Sequence, residues 1–482
     1  MPTTIFSRMR RVLTAAALAG VGLTAGCDFD IANNNAPTDD NLTNNPSRLV
    51  LARAATGIYA LNFTDVGGNI QFYTIYGREG YNLLGNDPRE TGEMMSGPQD
   101  PLGRAGGLWL AKYQAIRTIN TYIRAVESTV NLTPAEISAS LGFARTMKAF
   151  MLLRLTVRSG SYGIPIDVDR PISAEPAPFV SETDAYAYVV ALFDSARADL
   201  QAAGATQFPF PIAPGFESFN TPALFMQFNR ALAARAQVYR ATFVACGTPC
   251  WTAALTALGE SFLTTSGLPG SLSDGAYWGY SSSAGEPANP ITENLTAERY
   301  YVHPSLDTLA QLQPSSAKDA RWIAKTRTVA PRTWNGVVSD IKPVMYNDNS
   351  GGGSVANPGA DIPMIKNEEL ILLRAEANLG LGNKAAALAD IDSVRIHSGG
   401  LAPTTLTLLS PDADIVTEIL YNRLYSLLWE QGVRWIDARR YGRTGSLPNY
   451  RPEDQIFPSM LVPAGECDAR GMEPPCDPLN SP

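Results

Sequence analysis

Residues 361–401 read DIPMIKNEELILLRAEANLGLGNKAAALADIDSVRIHSGGL, and their pattern predicts two packed helices. In the first half, Leu370, Leu373 and Ala377 recur at the spacing that places apolar side chains on one helical face. A Gly-Asn turn follows, and a second apolar face begins after it. Alanines lie where the two helices would cross. We therefore expect an antiparallel hairpin of the tetratricopeptide type, in degenerate form because the strict repeat signature is absent.

The same apolar period recurs in the first half of the chain. Two of these segments begin with strong N-terminal signals, Thr133 followed by Pro and Glu136, and Thr221 followed by Pro. No comparable run of alternating residues predicts strands. The sequence thus predicts a mainly α fold. Five helices are expected upstream of the hairpin, at residues 49–61, 108–130, 134–159, 182–203 and 222–244.

A segment of different composition separates helical blocks at residues 48–266 and 361–443. Residues 267–360 are rich in Gly, Pro and Ser, and they contain two long stretches without helical periodicity. Long irregular segments in compact domains are usually disordered or form binding surfaces. Because these stretches hold several aromatic residues, we expect a loop-rich binding region here.

The N-terminus has the pattern of an export signal. Three arginines precede an uncharged apolar run that is too short to cross a bilayer as a helix. The run leads through Ala25-Gly26 into Cys27, the arrangement at which lipoprotein signal peptidases cleave. We expect residues 1–26 to be a lipoprotein signal peptide and Cys27 to carry the lipid anchor. The alternative is an ordinary secreted protein with an incidental cysteine.

Residues 27–47 are rich in Asn and Asp and hold few apolar residues, so they predict a flexible tether to the membrane. Residues 48–482 are then expected to form a single domain. The remaining cysteines form two close pairs, Cys246 with Cys250 and Cys467 with Cys476. In an oxidising compartment each pair would form a disulfide; unpaired thiols or a zinc site are the alternatives.

Several function classes are disfavoured. The net charge of -8 argues against a nucleic-acid partner, and no hydrolase, nucleotide or metalloprotease motif is present. His397 is expected at a helix end and His303 in a loop. Of the close aspartate pairs, 167/169 lie in an extended stretch and 412/414 at a helix start, and neither spacing defines a glycosidase site. We expect no catalysis, no cofactor and no metal.

The aromatic residues near Gly-rich stretches suggest ligand binding. Sugar rings stack on Trp and Tyr, and amide or charged groups bind their hydroxyls, so a glycan site needs such residues on exposed loops. The candidate ligand-binding residues are Tyr73, Tyr76, Arg78, Trp278, Tyr280 and Trp334. The alternative is that each aromatic ring packs beneath a loop.

Five segments together resemble the SusD/RagB family of outer-membrane, nutrient-binding lipoproteins. The first two are residues 361–401 and LYSLLWEQGVRWIDARRYGR at 424–443, the second of which is similar to the family's closing pattern. FPSMLVPAGE at 457–466 is similar to its ending. WLAKYQAIRTINTYI at 109–123 and LRLTVRSGSYGIPI at 153–166 match earlier family helices, in the same order along the chain.

The resemblance implies a mainly α, SusD-like fold with tetratricopeptide-like hairpins around a loop-rich ligand region. It implies a SusC-like TonB-dependent transporter as partner, a nutrient ligand that is most often an oligosaccharide, and a lipid-anchored, surface-exposed position on the outer membrane. Five residues would be structural, with Arg434 and Asp437 able to pair or cap neighbouring helices: Arg434, Trp435, Asp437, Arg439 and Arg440.

Two alternatives stay open at this level. A peptide-binding member of the same family would use the same scaffold with a different pocket. A tetratricopeptide-like assembly module of the cell envelope would need no small-molecule pocket, and burial of Trp278, Tyr280 and Trp334 would favour it.

Overall fold

The computed structural model describes residues 42, 44–103, 108–171, 173–348 and 352–480, all of which belong to one compact unit of the chain. The predicted signal peptide, Cys27 and nearly all of the predicted tether lie outside the described residues. Across these ranges no helix is long and apolar enough to cross a bilayer.

Helices dominate the structure, as the sequence predicts. The five upstream helices are confirmed, with ends no more than two residues from their predicted positions. The helices are α1 (Arg48–Phe63), α2 (Val66–Tyr76), α3 (Leu110–Ser128), α4 (Pro134–Ser159), α5 (Glu182–Ala203), α6 (Pro222–Phe243), α7 (Thr248–Gly259), α8 (Ser305–Leu309), α9 (Ala320–Lys325), α10 (Asn367–Gly380), α11 (Lys384–His397), α12 (Asp412–Ser426), α13 (Val433–Arg440) and α14 (Ala464–Asp468).

The strands of the described residues form small antiparallel pairs. The pairs are β1 (Gly80–Asn82) with β5 (Tyr300–Val302), β2 (Ile164–Pro165) with β3 (Phe179–Val180), β4 (Gly275–Trp278) with β10 (Ile362–Lys366), β6 (Thr326–Trp334) with β7 (Val337–Pro343), and β8 (Asn347–Asp348) with β9 (Val355–Ala356). Because no pair extends into a larger sheet here, the fold class is mainly α.

The region predicted to be loop-rich, residues 267–360, contains the hairpin of β6 and β7, which no run of alternating residues indicated in the sequence. Asn335 and Gly336 form its turn, and both have positive φ angles, 47° and 74°. Asn-Gly is the preferred pair for tight turns of this kind. The alternation of β6 is interrupted by Pro331 and by a shift in pairing between Thr328 and Arg332, which obscured the strand in the sequence.

The core is built around α4. Its first turn carries a complete capping box, in which the Thr133 side chain accepts from the Glu136 backbone and the Glu136 side chain accepts from the Thr133 backbone. Most of α4 is buried, and it packs between α3 and α5. The predicted hairpin is confirmed as α10 and α11, with Leu370, Leu373 and Ala377 fully buried.

A buried ionic cluster joins α10, α12 and α13. Asp437 accepts from Arg423 Nε at 2.8 Å and from Arg440 Nη2 at 2.7 Å, and Glu376 accepts from Arg440 Nη1 at 2.8 Å. Burial raises the pKa of Asp437, but Arg423 and Arg440 outweigh it and hold that pKa below its usual value. Asp437 thus pairs with Arg423 and Arg440 and not with Arg434, because these two buried arginines lie within hydrogen-bonding distance of its carboxylate.

The other arginines of α13 bind main-chain oxygens. Arg434 Nη1 donates to the carbonyl of Arg78 at 2.7 Å. Arg439 Nη1 donates to the carbonyl of Val157 at 2.7 Å, and its guanidinium lies 4.2 Å from the ring centre of Trp435. These contacts bind α13 to α4 and to the segment after α2.

Both disulfides have the pairing that the sequence predicts. Cys246 is bonded to Cys250 at the start of α7, with the Cα atoms 6.0 Å apart. Cys467 is bonded to Cys476, with Cα atoms 5.8 Å apart, and closes the loop that follows α14. Each bond therefore restrains a short local segment.

Candidate functional site

A cavity lies in the helical core between α2, α4, α6, β4 and the segment that leads into α13. The centre of a water-sized sphere can occupy a volume of about 50 Å³ inside this cavity. Arg154 and Gln431 are partly exposed and mark the side on which the cavity approaches solvent, whereas the rest of the lining is buried. The residues that define its chemistry are Asn69, Tyr73, Arg154, Trp278, Glu430 and Gln431.

Contacts between residues far apart in the sequence position the aromatic side chains that line the cavity. Trp278 at the end of β4 donates from Nε1 to the carbonyl of Asn62 at 3.1 Å. Tyr73 on α2 meets Gly432, where φ is 64° and a Cβ atom would lie 2.2 Å from the Tyr73 Cβ. Only glycine fits this close approach without strain.

The segment between α12 and α13, next to the cavity, is bound by the buried carboxylate of Glu79. Glu79 accepts from the backbone N–H of Trp429 at 3.1 Å and from that of Arg434 at 2.9 Å. Burial raises the pKa of Glu79 to about 7, although these two hydrogen bonds oppose the shift. The segment after α2 and the segment before α13 are thus joined by direct hydrogen bonds.

Positive charge gathers on one side of the cavity. Asp65 pairs with Lys112 Nζ at 2.5 Å and with Arg154 Nη2 at 3.1 Å, so one carboxylate faces two cations. Burial, together with the charge of Arg154, lowers the pKa of Lys112 to about 7 against the pull of Asp65. The Arg154 guanidinium lies 5.7 Å from the ring centres of both Phe150 and Trp278.

Three residues of the cavity lining each have one fully buried polar atom without a hydrogen-bond partner among the described residues, and these atoms are Asn69 Oδ1, Tyr73 OH and Glu430 Oε2. Asn69 Nδ2 donates to the backbone and side chain of Asp65, which orients the amide and leaves its oxygen free. Glu430 Oε1 binds Lys366 and Lys325 at 2.7 and 3.2 Å. Burial raises the pKa of Tyr73 to about 12.

Of the predicted ligand residues, Tyr73 and Trp278 come together in this cavity. Tyr280 is partly exposed, and its ring meets Phe63 edge-on at 5.3 Å. The backbone N–H of Tyr280 donates to Asp361 at 2.9 Å. Burial raises the pKa of Tyr280, and the charge of Arg154 opposes that shift.

The expectation that the candidate residues lie on exposed loops is wrong for Tyr73, Tyr76, Arg78 and Trp278, each of which is 5% exposed or less. For Tyr73 and Tyr76 the physical reason is that the stretch around them forms α2, which is buried on all sides apart from its two glycines. Tyr76 stacks on Trp435 at 5.3 Å. Arg78 donates to the carbonyls of Ile75, Met95 and Gln455, a structural role.

Trp334 lies apart from the cavity lining, at the end of β6. Its indole packs against Gly85, where a Cβ atom would lie 2.9 Å from the ring. Trp334 and Tyr280 are partly exposed, whereas Trp278 is buried. Burial of Trp278, Tyr280 and Trp334 would have favoured an assembly module without a pocket, and only Trp278 is buried.

Sequence reasoning missed Asn69, Arg154 and Glu430. Asn69 could have been noticed as a polar residue within an apolar stretch, because a buried amide needs partners. Arg154 and Glu430 carry no local signal, since their neighbours come from distant parts of the chain.

The other polar residues considered in the sequence occupy positions that a structural role explains. His303 follows β5 and is buried, and burial together with Arg434 and Arg78 lowers its pKa to about 3. His397 lies in the last turn of α11, and Asp412 begins α12, as expected. Within the described ranges, no group of three or more His, Cys, Asp and Glu side chains is arranged to hold a metal ion.

Comparison with known proteins identifies the fold. No protein-family model and no curated protein matches the sequence. Solved structures match along most of its length, and the chain has a SusD-like fold. A SusD superfamily protein from Bacteroides vulgatus and one from Parabacteroides distasonis each align with a TM-score of 0.65 and 14% identity, over 88% of this chain and 97% of theirs. NanU of B. fragilis is similar with a TM-score of 0.63 and 15% identity, over 90% of this chain and 97% of its own.

Proposed function

We propose that the chain is a cell-surface lipoprotein that binds a nutrient, an oligosaccharide or polysaccharide fragment, and delivers it unchanged to a TonB-dependent outer-membrane transporter. The observation that carries the proposal is the SusD-like fold, shared with solved SusD superfamily proteins over 88% of the chain. The lipoprotein signal pattern ending at Cys27 supports attachment to a membrane.

The surface beside the cavity has the chemistry for capturing a sugar. Tyr277 and Tyr280 are partly exposed aromatic residues that flank Trp278 in the sequence, and the exposed carboxylate of Asp361 accepts from the Tyr280 backbone. Aromatic faces bind the C–H side of a sugar ring, and charged groups bind its hydroxyls. We place ligand capture on this surface.

Calorimetry of the mature, detergent-solubilised protein tests the ligand class. Panels of oligosaccharides and of peptides are titrated separately. We expect heat from at least one oligosaccharide, with a dissociation constant on the order of micromolar, since a carrier must release its ligand. Binding of peptides alone would instead identify a peptide carrier, and binding of neither would support an assembly module.

Two further experiments test attachment and partner. Replacement Cys27→Ser should release the protein from the outer-membrane fraction and abolish incorporation of labelled fatty acid. Purification of the wild-type protein from native outer membranes in mild detergent should recover a large TonB-dependent transporter. If the Cys27→Ser protein stays lipid-labelled, or no transporter accompanies the wild type, that part of the proposal is wrong.

A further inference from the structure

We propose that a pocket between α12 and α13 binds a small carboxylate with an apolar tail, and that Arg434 and Arg443 hold its charged group. The apolar lining of this α12–α13 pocket consists of Leu309, Leu420, Leu424, Ala438 and Leu447. None of these described residues lines the cavity in the helical core. The inference therefore concerns a second site and goes beyond the proposed function.

The walls of the α12–α13 pocket suit an apolar group of modest size. Leu420 and Leu424 are one turn apart and so belong to one face of α12. Leu309, at the end of α8, is 50% exposed and extends the apolar lining towards solvent. The centre of a water-sized sphere can occupy about 280 Å³ of the pocket, near the lower end of the roughly 300–1,000 Å³ typical of small-molecule sites.

Arg434 offers two free donors in this apolar pocket. Its Nη1 donates to the carbonyl of Arg78 at 2.7 Å, which fixes the side chain. Its Nε and Nη2 have no hydrogen-bond partner among the described residues, and neither is a fully buried atom, unlike both Nη atoms of Arg423. Nε and Nη2 form the edge of a guanidinium that binds a carboxylate through two parallel hydrogen bonds. Arg235 uses the same edge to bind Glu369, at 2.8 and 2.6 Å.

Arg443 adds a second positive charge to the pocket lining. Its Nη1 donates to Thr417 Oγ1 at 2.9 Å, and its Nη2 donates to the carbonyl of Ala413 at 3.1 Å. Both acceptors are neutral, so they orient the guanidinium without balancing its charge. Neither Arg443 nor Arg434 forms an ion pair with a residue that the structure describes.

The acidic side chains around the pocket leave these two charges in place. Asp437 lines the pocket, but its carboxylate accepts from the two arginines of the buried ionic cluster. Asp414 of α12 is exposed and lines a neighbouring depression instead. Two more carboxylates are bound by other arginines, in the pairs Glu418 with Arg395 and Asp319 with Arg321.

Glu79 balances the charge of Arg434 only in part. It accepts from the backbone N–H of Arg434 at 2.9 Å but forms no ion pair with the guanidinium. Burial lowers the pKa of Arg434 to about 10, Glu79 opposes this shift, and the charge of Arg78 adds to it. Burial also raises the pKa of Glu79 to about 7, so its negative charge is incomplete at neutral pH. A bound carboxylate would supply the missing negative charge.

The walls and the charges together select one class of ligand. A neutral apolar molecule would leave the free edge of Arg434 without a partner and remove it from water. An inorganic anion would leave the leucine walls in contact with water. The two arginines would repel an amine or a metal cation. A carboxylate with an alkyl tail meets both requirements.

Octanoate is the probe, and octanamide, which has the same chain without the charge, is its matched control. Calorimetry uses the Cys27→Ser protein, so that no detergent competes for an apolar site. We expect octanoate to bind at least about tenfold more tightly than octanamide, the effect of a charge-assisted hydrogen bond. Equal affinities for the two compounds, or no heat from octanoate at millimolar concentration, overturn the proposal.

A pair of matched variants tests whether the arginines hold the carboxylate. Leu420 is a partly exposed wall residue, so Leu420→Glu and Leu420→Gln should both fold, which circular dichroism checks. Both variants lose the same apolar contact, but only Leu420→Glu brings a competing carboxylate to the arginines. Octanoate should therefore bind about tenfold more weakly to Leu420→Glu than to Leu420→Gln, whereas octanamide should bind both equally. Equal octanoate affinities in the two variants contradict the assigned role of the arginines.

A brominated probe locates the site directly. In crystals soaked with ω-bromooctanoate, we expect anomalous density for bromine among the leucines of the α12–α13 pocket and the carboxylate on Nε and Nη2 of Arg434. Bromine found only elsewhere in the molecule overturns the proposal. Oligosaccharide binding should be the same in wild type and Leu420→Glu, because the capture surface is separate. A failure of the carboxylate site thus leaves the nutrient-binding function intact.

Discussion

Replacing Asp437 by Asn should be among the most destabilising single changes in the chain. Asp437 is the carboxylate that Arg423 and Arg440 share, at 2.8 and 2.7 Å, and all three side chains are almost wholly buried. In Asp437→Asn the cluster of two cations and two anions becomes two cations and one anion. Leaving a buried charge without its partner costs about 3–5 kcal/mol, and we expect a loss of this size in the free energy of unfolding.

Urea unfolding followed by circular dichroism measures the loss, and the chain offers a matched control. Asp167 and Arg170 form an ion pair with the same three-residue spacing and a distance of 2.8 Å, but their side chains are 66% and 36% exposed. Because water screens this pair, Asp167→Asn should cost less than about 1 kcal/mol. If Asp437→Asn costs no more than the control, the cluster does not behave as a buried one and the reasoning is refuted.

Acidification gives an independent check on the same residue. The folded-state pKa of Asp437 is lowered, so its ionised form contributes stability above the unfolded-state pKa of about 3.9, and this contribution disappears as pH falls through the folded-state pKa. The stability difference between wild type and Asp437→Asn should therefore shrink below about pH 4. Combining Asp437→Asn with Arg440→Met removes the unpaired cation. The double variant should therefore lose less free energy of unfolding than the two single variants lose in sum.

Three further changes test local features by the same unfolding measurement. Gly432→Ala should cost more than about 1 kcal/mol, because φ is positive there and the new methyl group would overlap Tyr73; a neutral effect would contradict this close approach. Thr133→Ala should cost about 1 kcal/mol by removing the N-cap of α4, and a loss below about 0.3 kcal/mol would speak against the capping box. The double change Cys467→Ser and Cys476→Ser should cost about 2–4 kcal/mol under non-reducing conditions, whereas unchanged stability would mean that the loop needs no crosslink.

Local patterns in the sequence were sufficient to predict most of the longer helices. The capped start of α4 and the apolar face of α10 are each determined within a few turns of chain, so periodicity and capping predict them. α2 escaped prediction because two glycines open it and its apolar residues surround it, which leaves no amphipathic period. The β6–β7 hairpin had a signal in Asn335-Gly336 that its interrupted alternation concealed.

The cavity was only partly predictable for a different reason. Aromatic composition drew attention to Tyr73 and Trp278, which do meet in the cavity. The polar groups that give it chemistry, Arg154 and Glu430, face it only through packing between distant segments. No spacing rule within one segment can predict such a meeting, since it depends on how the helices are arranged in space.

The hydrogen bonds from Trp429 and Arg434 to Glu79 also bear on the order in which the molecule assembles. They join residues 350 and 355 positions apart in a chain of 482 residues. Contacts of such high contact order form late, because closing so long a loop is entropically costly until the intervening segments have collapsed. Until the segment that holds Glu430 and Gln431 packs against α2 and α4, the cavity lacks one of its walls. The cavity would thus be completed late in folding, after the helices that form its other walls have packed.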